Sequence, residues 1–487
     1  MKKVRFAMAA ALVLPALLAV RAAEVPSAQA QGSGPALCSG IQLQNTNAGQ
    51  SAAVTMNFFK VSGTASQDGV ADATISDTLG PNGSKSYYLP NALPSGTPDG
   101  QYSVVTNADQ ALNALVQQVT CPGSAPSVAA SFSGVGSADT GSPVILPFVL
   151  SRAFPTAGNF SSFLAIQNAG TATATNVQIQ FFPAGSGSSV QTFTNNNLPV
   201  GETWYLNLRS GTFATDALNG FNGSARVTSD QPVAAVANYS PGDNTSLLSY
   251  NGARTTGTSL FSPQATKGYF GFTSGFTVVN QSATDTTVRY RMVGSASGAP
   301  VDVSIDRPLA ANSTDVFYLG NPPAAAVPNN FNGTAIISIA PGATSVQMIG
   351  IANLAIANPT QGAASGAMNL IPVQQGAQRM YFPQMSKQYF GFTSGWQLVD
   401  VTGSGASGTA RYFQVNPDGS VTQIAAEAVT VPANGSVTTF LGNVGSIPAN
   451  FNGGVIVEMS SGSVAGQGNY NGTGLGDVLT VYNGFPG

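Results

Sequence analysis

The sequence predicts an all-β chain of four tandem antiparallel sandwiches. Three observations predict it. The triplets Phe221-Asn222-Gly223, Phe331-Asn332-Gly333 and Phe451-Asn452-Gly453 recur at intervals of 110 and 120 residues, each followed by a small residue and a β-branched run. Short stretches between them alternate apolar and polar residues, the period of a half-buried strand. Turns rich in Gly, Pro, Asn and Ser break these stretches at roughly eight- to twelve-residue spacing. A period this long marks a duplicated domain; solenoid units are much shorter.

The repeat can be followed strand by strand. Each copy opens on a strand that ends at a polar turn: Ile41 to Asn45, Phe163 to Asn168, Phe276 to Asn280 and Trp396 to Asp400. A second alternating strand follows at Val54 to Phe58, Val177 to Phe181, Thr287 to Arg291 and Thr409 to Phe413. A Pro- and Gly-containing turn then leads into an aromatic strand, as in Pro199-Val200-Gly201 before Trp204-Tyr205-Leu206 and Pro432-Ala433-Asn434-Gly435 before Phe440. Proline presets one turn dihedral and glycine or asparagine takes the unusual one. The Phe-Asn-Gly triplet starts the next pair of strands, read as a hairpin: Ser224 to Ser229 and then Val233 to Tyr239 in the second copy. The first copy keeps that pair but begins it with Pro98-Asp99-Gly100. About seven short strands per copy fit a sandwich of immunoglobulin type, and a copy of this size can bury its own core.

The joints repeat as well. Tyr381 to Gly395 echoes Phe261 to Gly275, and a looser version runs from Leu146 to Phe163. The apolar-Pro start of each joint reads as an edge strand, because proline removes a ladder donor. The resulting division is a leader over 1–30, sandwiches over 31–122, 143–255, 256–370 and 371–487, and a linker over 123–142. Only the first copy lacks the apolar-Pro strand, which suggests an open sheet edge for a neighbouring subunit.

Composition bounds the function. Lys2, Lys3 and Arg5, the apolar run Phe6 to Val20 and the small residues Ala28-Gln29-Ala30 read as a cleaved export signal, the alternative being an uncleaved anchor. Removing the leader leaves 13 basic and 19 acidic residues, a net charge near −6, which argues against nucleic acid as a partner. No histidine is present. That excludes Ser-His-Asp and Cys-His nucleophiles and histidine zinc sites. Beyond the leader only Glu202, Glu427 and Glu458 supply glutamates, far apart in the repeat pattern, and most aspartates sit in turn-forming contexts. The expected protein is therefore no enzyme and carries no cofactor or metal.

Cys38 and Cys121 bracket the first copy. In an exported chain two cysteines are expected to pair, with two free thiols as the alternative. Gly271-Phe272-Thr273-Ser274-Gly275 and Gly391-Phe392-Thr393-Ser394-Gly395 look faintly like nucleophile elbows, but no βα pattern surrounds them, and they read as inter-domain turns. The joint aromatics Tyr269, Phe270, Phe272, Tyr389, Phe390 and Phe392 have two readings. They contact a glycan, or they fill the interface between adjacent sandwiches.

The run Phe221 to Tyr239, with the strand Leu164 to Phe181, resembles a domain that recurs in tandem in bacterial exported and surface proteins with immunoglobulin-like, adhesion-related sandwiches. The resemblance is strongest in the second copy and weakest in the first. It implies surface structure or adhesion and carries no catalytic residues. Together these readings point to a secreted or cell-surface structural or adhesion protein, a rod serving as spacer, envelope component or adhesin, with an extracellular carbohydrate-binding protein as the alternative. The expected partners are cell-surface or extracellular molecules, polysaccharide, or the chain itself in head-to-tail association.

Overall fold

The computed structural model describes residues 36–61, 68–125, 127–356, 364–416, 420–472 and 479–487. The leader lies outside them. The chain is all-β and folds as tandem antiparallel sandwiches.

The first repeat contains β1 (Leu37–Asn45), β2 (Ala52–Val61), β3 (Ala73–Leu79), β4 (Ser84–Tyr88), β5 (Gln101–Ala108), β6 (Leu112–Thr120) and β7 (Ala129–Ser133). The second contains β8 (Val144–Ser151), β9 (Ser161–Asn168), β10 (Val177–Pro183), β11 (Gln191–Asn195), β12 (Thr203–Asn207), β13 (Phe221–Thr228), β14 (Val233–Ser240) and β15 (Leu248–Asn251). The third runs through β16 (Ser259–Tyr269), β17 (Phe272–Asn280), β18 (Thr286–Ala296), β19 (Ala299–Leu309), β20 (Thr314–Tyr318), β21 (Phe331–Ile339), β22 (Met348–Ile356), β23 (Ser365–Asn369) and the short β24 (Ile371–Pro372). The fourth has β25 (Arg379–Lys387), β26 (Phe392–Asp400), β27 (Ala406–Val415), β28 (Val421–Val431), β29 (Ser436–Phe440), β30 (Phe451–Ser461), β31 (Val464–Gly472), β32 (Leu479–Asn483) and the short β33 (Phe485–Pro486).

Repeats two to four share one topology. One layer runs fourth, third, sixth, first strand, and the other runs fifth, second, seventh, eighth; in the third repeat the β16–β17 pairing joins the two into one continuous sheet. The second–fifth and third–sixth pairings are those of an immunoglobulin sandwich. The outer strands differ: the first pairs with the sixth, and the seventh with the second. Two sequence readings are corrected here. The pair opened by Phe-Asn-Gly is an arch, since β13 and β14 lie in opposite sheets and each already has two other neighbours. An arch and a hairpin show the same alternation, so periodicity cannot separate them. Within 123–142, read as a linker, residues 129–133 form β7, which pairs with β6 as the eighth strand of its sandwich.

The repeated motifs have local physical causes. The phenylalanine of each triplet is a core residue: Phe221, Phe331 and Phe451 are all buried. The glycine lies against the neighbouring third strand, where a Cβ on Gly223, Gly333 or Gly453 would come within 2.0, 2.2 and 1.9 Å of a backbone carbonyl oxygen. The residue ending each second strand is a clamp. Asn280 donates from Nδ2 to the carbonyls of Thr284 at 2.8 Å and Ala310 at 3.1 Å, while its Oδ1 accepts from the Ser282 amide. Asn45 and Asn168 make the same pattern. In the fourth repeat the clamp is Asp400, and the polarity inverts. Its carboxylate accepts from the amides of Thr402, Gly405 and Asn434 and from the Thr402 hydroxyl. The first repeat is also closed by the Cys38–Cys121 disulfide, which joins the start of β1 to the residue just beyond β6 across 83 residues. A loop of that length stabilises by at most about 4.5 kcal/mol on the chain-entropy model.

The four sandwiches form a closed ring, which replaces the expected rod. The eighth strands meet around one axis in a cycle, β7 to β15 to β23 to β32 and back to β7. The side chain of Asn369 grips the backbone of Asn251, with Nδ2 donating to its carbonyl at 2.7 Å and Oδ1 accepting from its amide at 3.2 Å. Asn483 grips Asn369 in the same way at 2.8 and 3.1 Å. Asn251 donates to the Ser133 carbonyl at 2.7 Å, and the Ser133 hydroxyl closes the circuit to the Asn483 carbonyl at 3.5 Å. The cavity on this axis holds about 10 Å³, room for about one water. Farther out, the first strand of one repeat packs on the second and seventh strands of the next: Ile145 on Val279 and Ile349, and Phe261 on Val399, Val401 and Ala465. The β25 strand meets β1 and β6 and so returns to the first repeat. Four copies of one head-to-tail step close when each step is a quarter turn.

Two predictions follow from the clamps. Asn280→Asp removes the donor and sets carboxylate oxygens against two carbonyls, so the variant should lose about 2–4 kcal/mol in urea denaturation. For Asp400, burial pushes the carboxyl up, and its hydroxyl and amide donors more than reverse this, leaving it below the usual carboxylate value. A depressed folded-state value contributes stability above the unfolded value and loses it as pH falls through the folded one. Asp400→Asn should therefore denature at lower urea than the parent at pH 7, with the gap narrowing toward pH 3. A gap independent of pH would contradict this assignment.

Candidate interface

The three repeats that own a first strand each present a phenylalanine at the turn that follows it. In the third repeat Tyr269 pairs with Phe272, leaving Phe270 and Gly271 as a two-residue turn. Both central residues have positive φ, +47° and +82°, as in the type I′ turn that favours Asn-Gly. Phe390 and Gly391 repeat this geometry at +47° and +82°, with Tyr389 bridged to Phe392. Phe154 sits in the longer turn of the second repeat at +54°. A bulky residue in the left-handed region is strained. All three rings are nonetheless exposed: 76% for Phe270, 60% for Phe390 and 42% for Phe154.

The bases of these turns are rigid. Lys267 reaches the carbonyls of Ala324 and Val327 at 2.9 and 2.7 Å, and Lys387 reaches those of Val444 and Ile447 at 2.8 and 3.0 Å. The Thr-Ser pairs of the Gly-Phe-Thr-Ser-Gly runs, read as inter-domain turns, are braces within one sandwich. The hydroxyls of Thr273 and Thr393 accept from the amides of Gly268 and Gln388, and those of Ser274 and Ser394 accept from Thr266 and Ser386. Tyr269 packs edge-on to Phe270 at 4.6 Å between ring centroids, as Tyr389 does to Phe390. Phe392 stacks on Tyr470 at 4.5 Å and 17°. Burial pushes the Tyr470 phenol up to about 12, so it stays protonated at neutral pH.

The four joint phenylalanines thus separate into two roles. Phe272 and Phe392 are half-buried at the start of the second strand, whereas Phe270 and Phe390 point away at the turn tips. The inter-domain contact is made by Ile145 and Phe261 on the first strands. Phe154, Phe270 and Phe390 occupy the same place in the strand order, the turn between the first and second strands of repeats two, three and four. Phe154 escaped the sequence reading because its joint is longer and only loosely similar. The axial asparagines were marked only by Asn251, Asn369 and Asn483 recurring near one period. The glutamates have structural roles. Glu458 pairs with Arg379 and Arg411, Glu427 bonds the Tyr412 hydroxyl, and Glu202 is buried.

No protein-family model and no curated protein matches the chain. Among solved structures it is similar to the tetra-tandem repeat in the extending region of a large adhesion protein, at 11% identity over 93% of this chain and 95% of that one, with a TM-score of 0.11. At that score the two chains do not superpose, and nothing is carried over from it.

The left-handed turns yield a prediction. Phe270→Gly should raise stability by about 1 kcal/mol, because it removes backbone strain and no core contact. Equilibrium denaturation checks the sign. A loss of stability would mean that the ring supports the fold.

Proposed function

We propose that this chain is a non-catalytic exported protein of the extracellular space or cell surface, structural or adhesive in role. The ring acts as a rigid platform that holds an aromatic face toward a cell-surface or extracellular partner. The observation that carries this reading is the set of three exposed phenylalanines, each kept in a strained backbone conformation at the equivalent turn of its repeat. Strain retained at an exposed apolar residue is more readily explained by contact than by folding. The disulfide suits an oxidising compartment.

A second reading is supported by the stacked Phe392–Tyr470 pair and the Tyr389–Phe390 pair. Aromatic faces of this kind suit sugar rings, which makes polysaccharide the alternative partner. One experiment tests both readings. Purified ring and a variant with Phe154, Phe270 and Phe390 all changed to Ser are bound to cell-envelope fragments and to isolated envelope polysaccharide. We expect at least about a tenfold loss on envelope fragments, the scale of losing 1.4 kcal/mol. Undiminished binding by the folded variant defeats the adhesive-face reading. Loss of polysaccharide binding on Tyr389→Ala favours the carbohydrate alternative.

A further inference from the structure

Among the described residues, the first repeat has every strand of the common topology except the first. Its sheet stops at β3, β2 and β5, so β5 is an edge where β13, β21 and β30 each pair with a first strand. No residue of β5 is fully buried, although the equivalent strands bury most of theirs. Register fixes the correspondence. Val105 pairs with Asn57 as Ile336 pairs with Arg291, which makes Val105 the counterpart of Ile336.

The far side of this gap is also visible. In the complete repeats the segment just after the eighth strand pairs with the first strand: Ala253 with Ile145, Ile371 with Phe261 and Phe485 with Tyr381. Each lies two residues beyond the axial asparagine. The counterpart in the first repeat is Val135, two beyond Ser133. A strand placed here would lie between Val105 and Val135.

The next domain shows the same vacancy. The face that receives the neighbour's first strand is buried in the third repeat (Thr277, Val279, Ile349, Ile351), in the fourth (Gln397, Val399, Ala465, Gln467) and in the first (Gln42, Gln44, Asn113, Leu115). Only in the second is it half-buried throughout, at Ala165, Gln167, Ala234 and Val236. One absent strand accounts for both uncovered surfaces.

We propose that this gap is a strand-acceptor site, filled by an extended segment of a partner protein that carries proline at its centre and an apolar residue two positions before it. The chain contains three examples of such an occupant. Val144–Ser151, Ser259–Tyr269 and Arg379–Lys387 each carry a central proline, at Pro147, Pro263 and Pro383, next to a register shift. Each places Ile145, Phe261 or Tyr381 at the apolar position. Main-chain pairing would supply affinity and the two valines specificity. The chain's own segment around Pro26 fits less well, because Glu24 would take the apolar position.

The test uses the chain from Gln31 onward. The probes are a synthetic peptide of Gln378 to Gln388, the same peptide with Tyr381→Asp, and a peptide of Ala22 to Gln31. We expect the first to bind at least about tenfold more tightly than the second, and to slow hydrogen exchange in β5 by a similar factor while exchange in β21 is unchanged. Equal binding of the two peptides, or no slowing in β5, overturns the proposal. Tighter binding by the Ala22 to Gln31 peptide also overturns it, since the occupant would then be the chain's own segment. The aromatic face takes no part in this readout, so either proposal can fail alone.

Discussion

The first strand of each repeat is the element on which the molecule depends, because it belongs to two domains at once. Inside its own sandwich it pairs with the sixth strand and completes a sheet. Outside, its alternate residues cover the next sandwich. A strand buried on both faces reads as a near-continuous apolar run, and β8 is buried at every position. Its central proline has no amide to donate, and the ladder shifts register there. In the second and fourth repeats a tyrosine from the eighth strand satisfies the adjacent carbonyl. One element thereby couples sheet completion, domain contact and the packing of the axial strands.

That coupling explains why the array closes. An inter-domain contact made by a flexible linker would leave the angle between sandwiches free. Here the contact is a strand already fixed within its own sheet, so the angle is inherited from the fold. The axial asparagines add direction, because a side-chain amide that both donates to and accepts from a neighbour's backbone tolerates little rotation. Hydrophobic clusters cross the joints: Ile351 and Ala367 lie in the core of the second repeat, Leu479 and Val481 in that of the third, and Leu115 in that of the fourth. A ring with shared cores should resist separation into single domains.

Much of this was legible in the sequence, and the remainder was hidden for definite reasons. Strands such as Val177 to Phe181 and turns such as Pro432 to Gly435 were marked by local alternation and turn chemistry. Strand partners were not, because alternation states which face is buried and leaves open which strand lies beside it. Ser224 to Ser229 and Val233 to Tyr239 therefore looked like a hairpin. Ring closure was hidden more deeply. It rests on single polar residues, Asn251, Asn369, Asn483 and Ser133, whose partners lie more than a hundred residues away. The tip phenylalanines were visible as a repeat, but an exposed aromatic and a core aromatic look alike in sequence.

The first repeat shows what happens when the shared strand is withdrawn. The disulfide joins β1 to the chain just beyond β6, and so ties together the two strands that β25 of the fourth repeat covers where the ring closes. This stabilises the sandwich without filling its sheet edge. Among the described residues the first repeat has no counterpart of the turns that carry Phe154, Phe270 and Phe390. A closed ring of four identical repeats would have no preferred sector. This one does: the open edge of β5 and the half-buried face of the second repeat both fall on it. Divergence concentrated in one sector of an otherwise repeated structure gives the ring a fixed azimuth, which a platform needs if it is to meet two different partners in a set relation to each other.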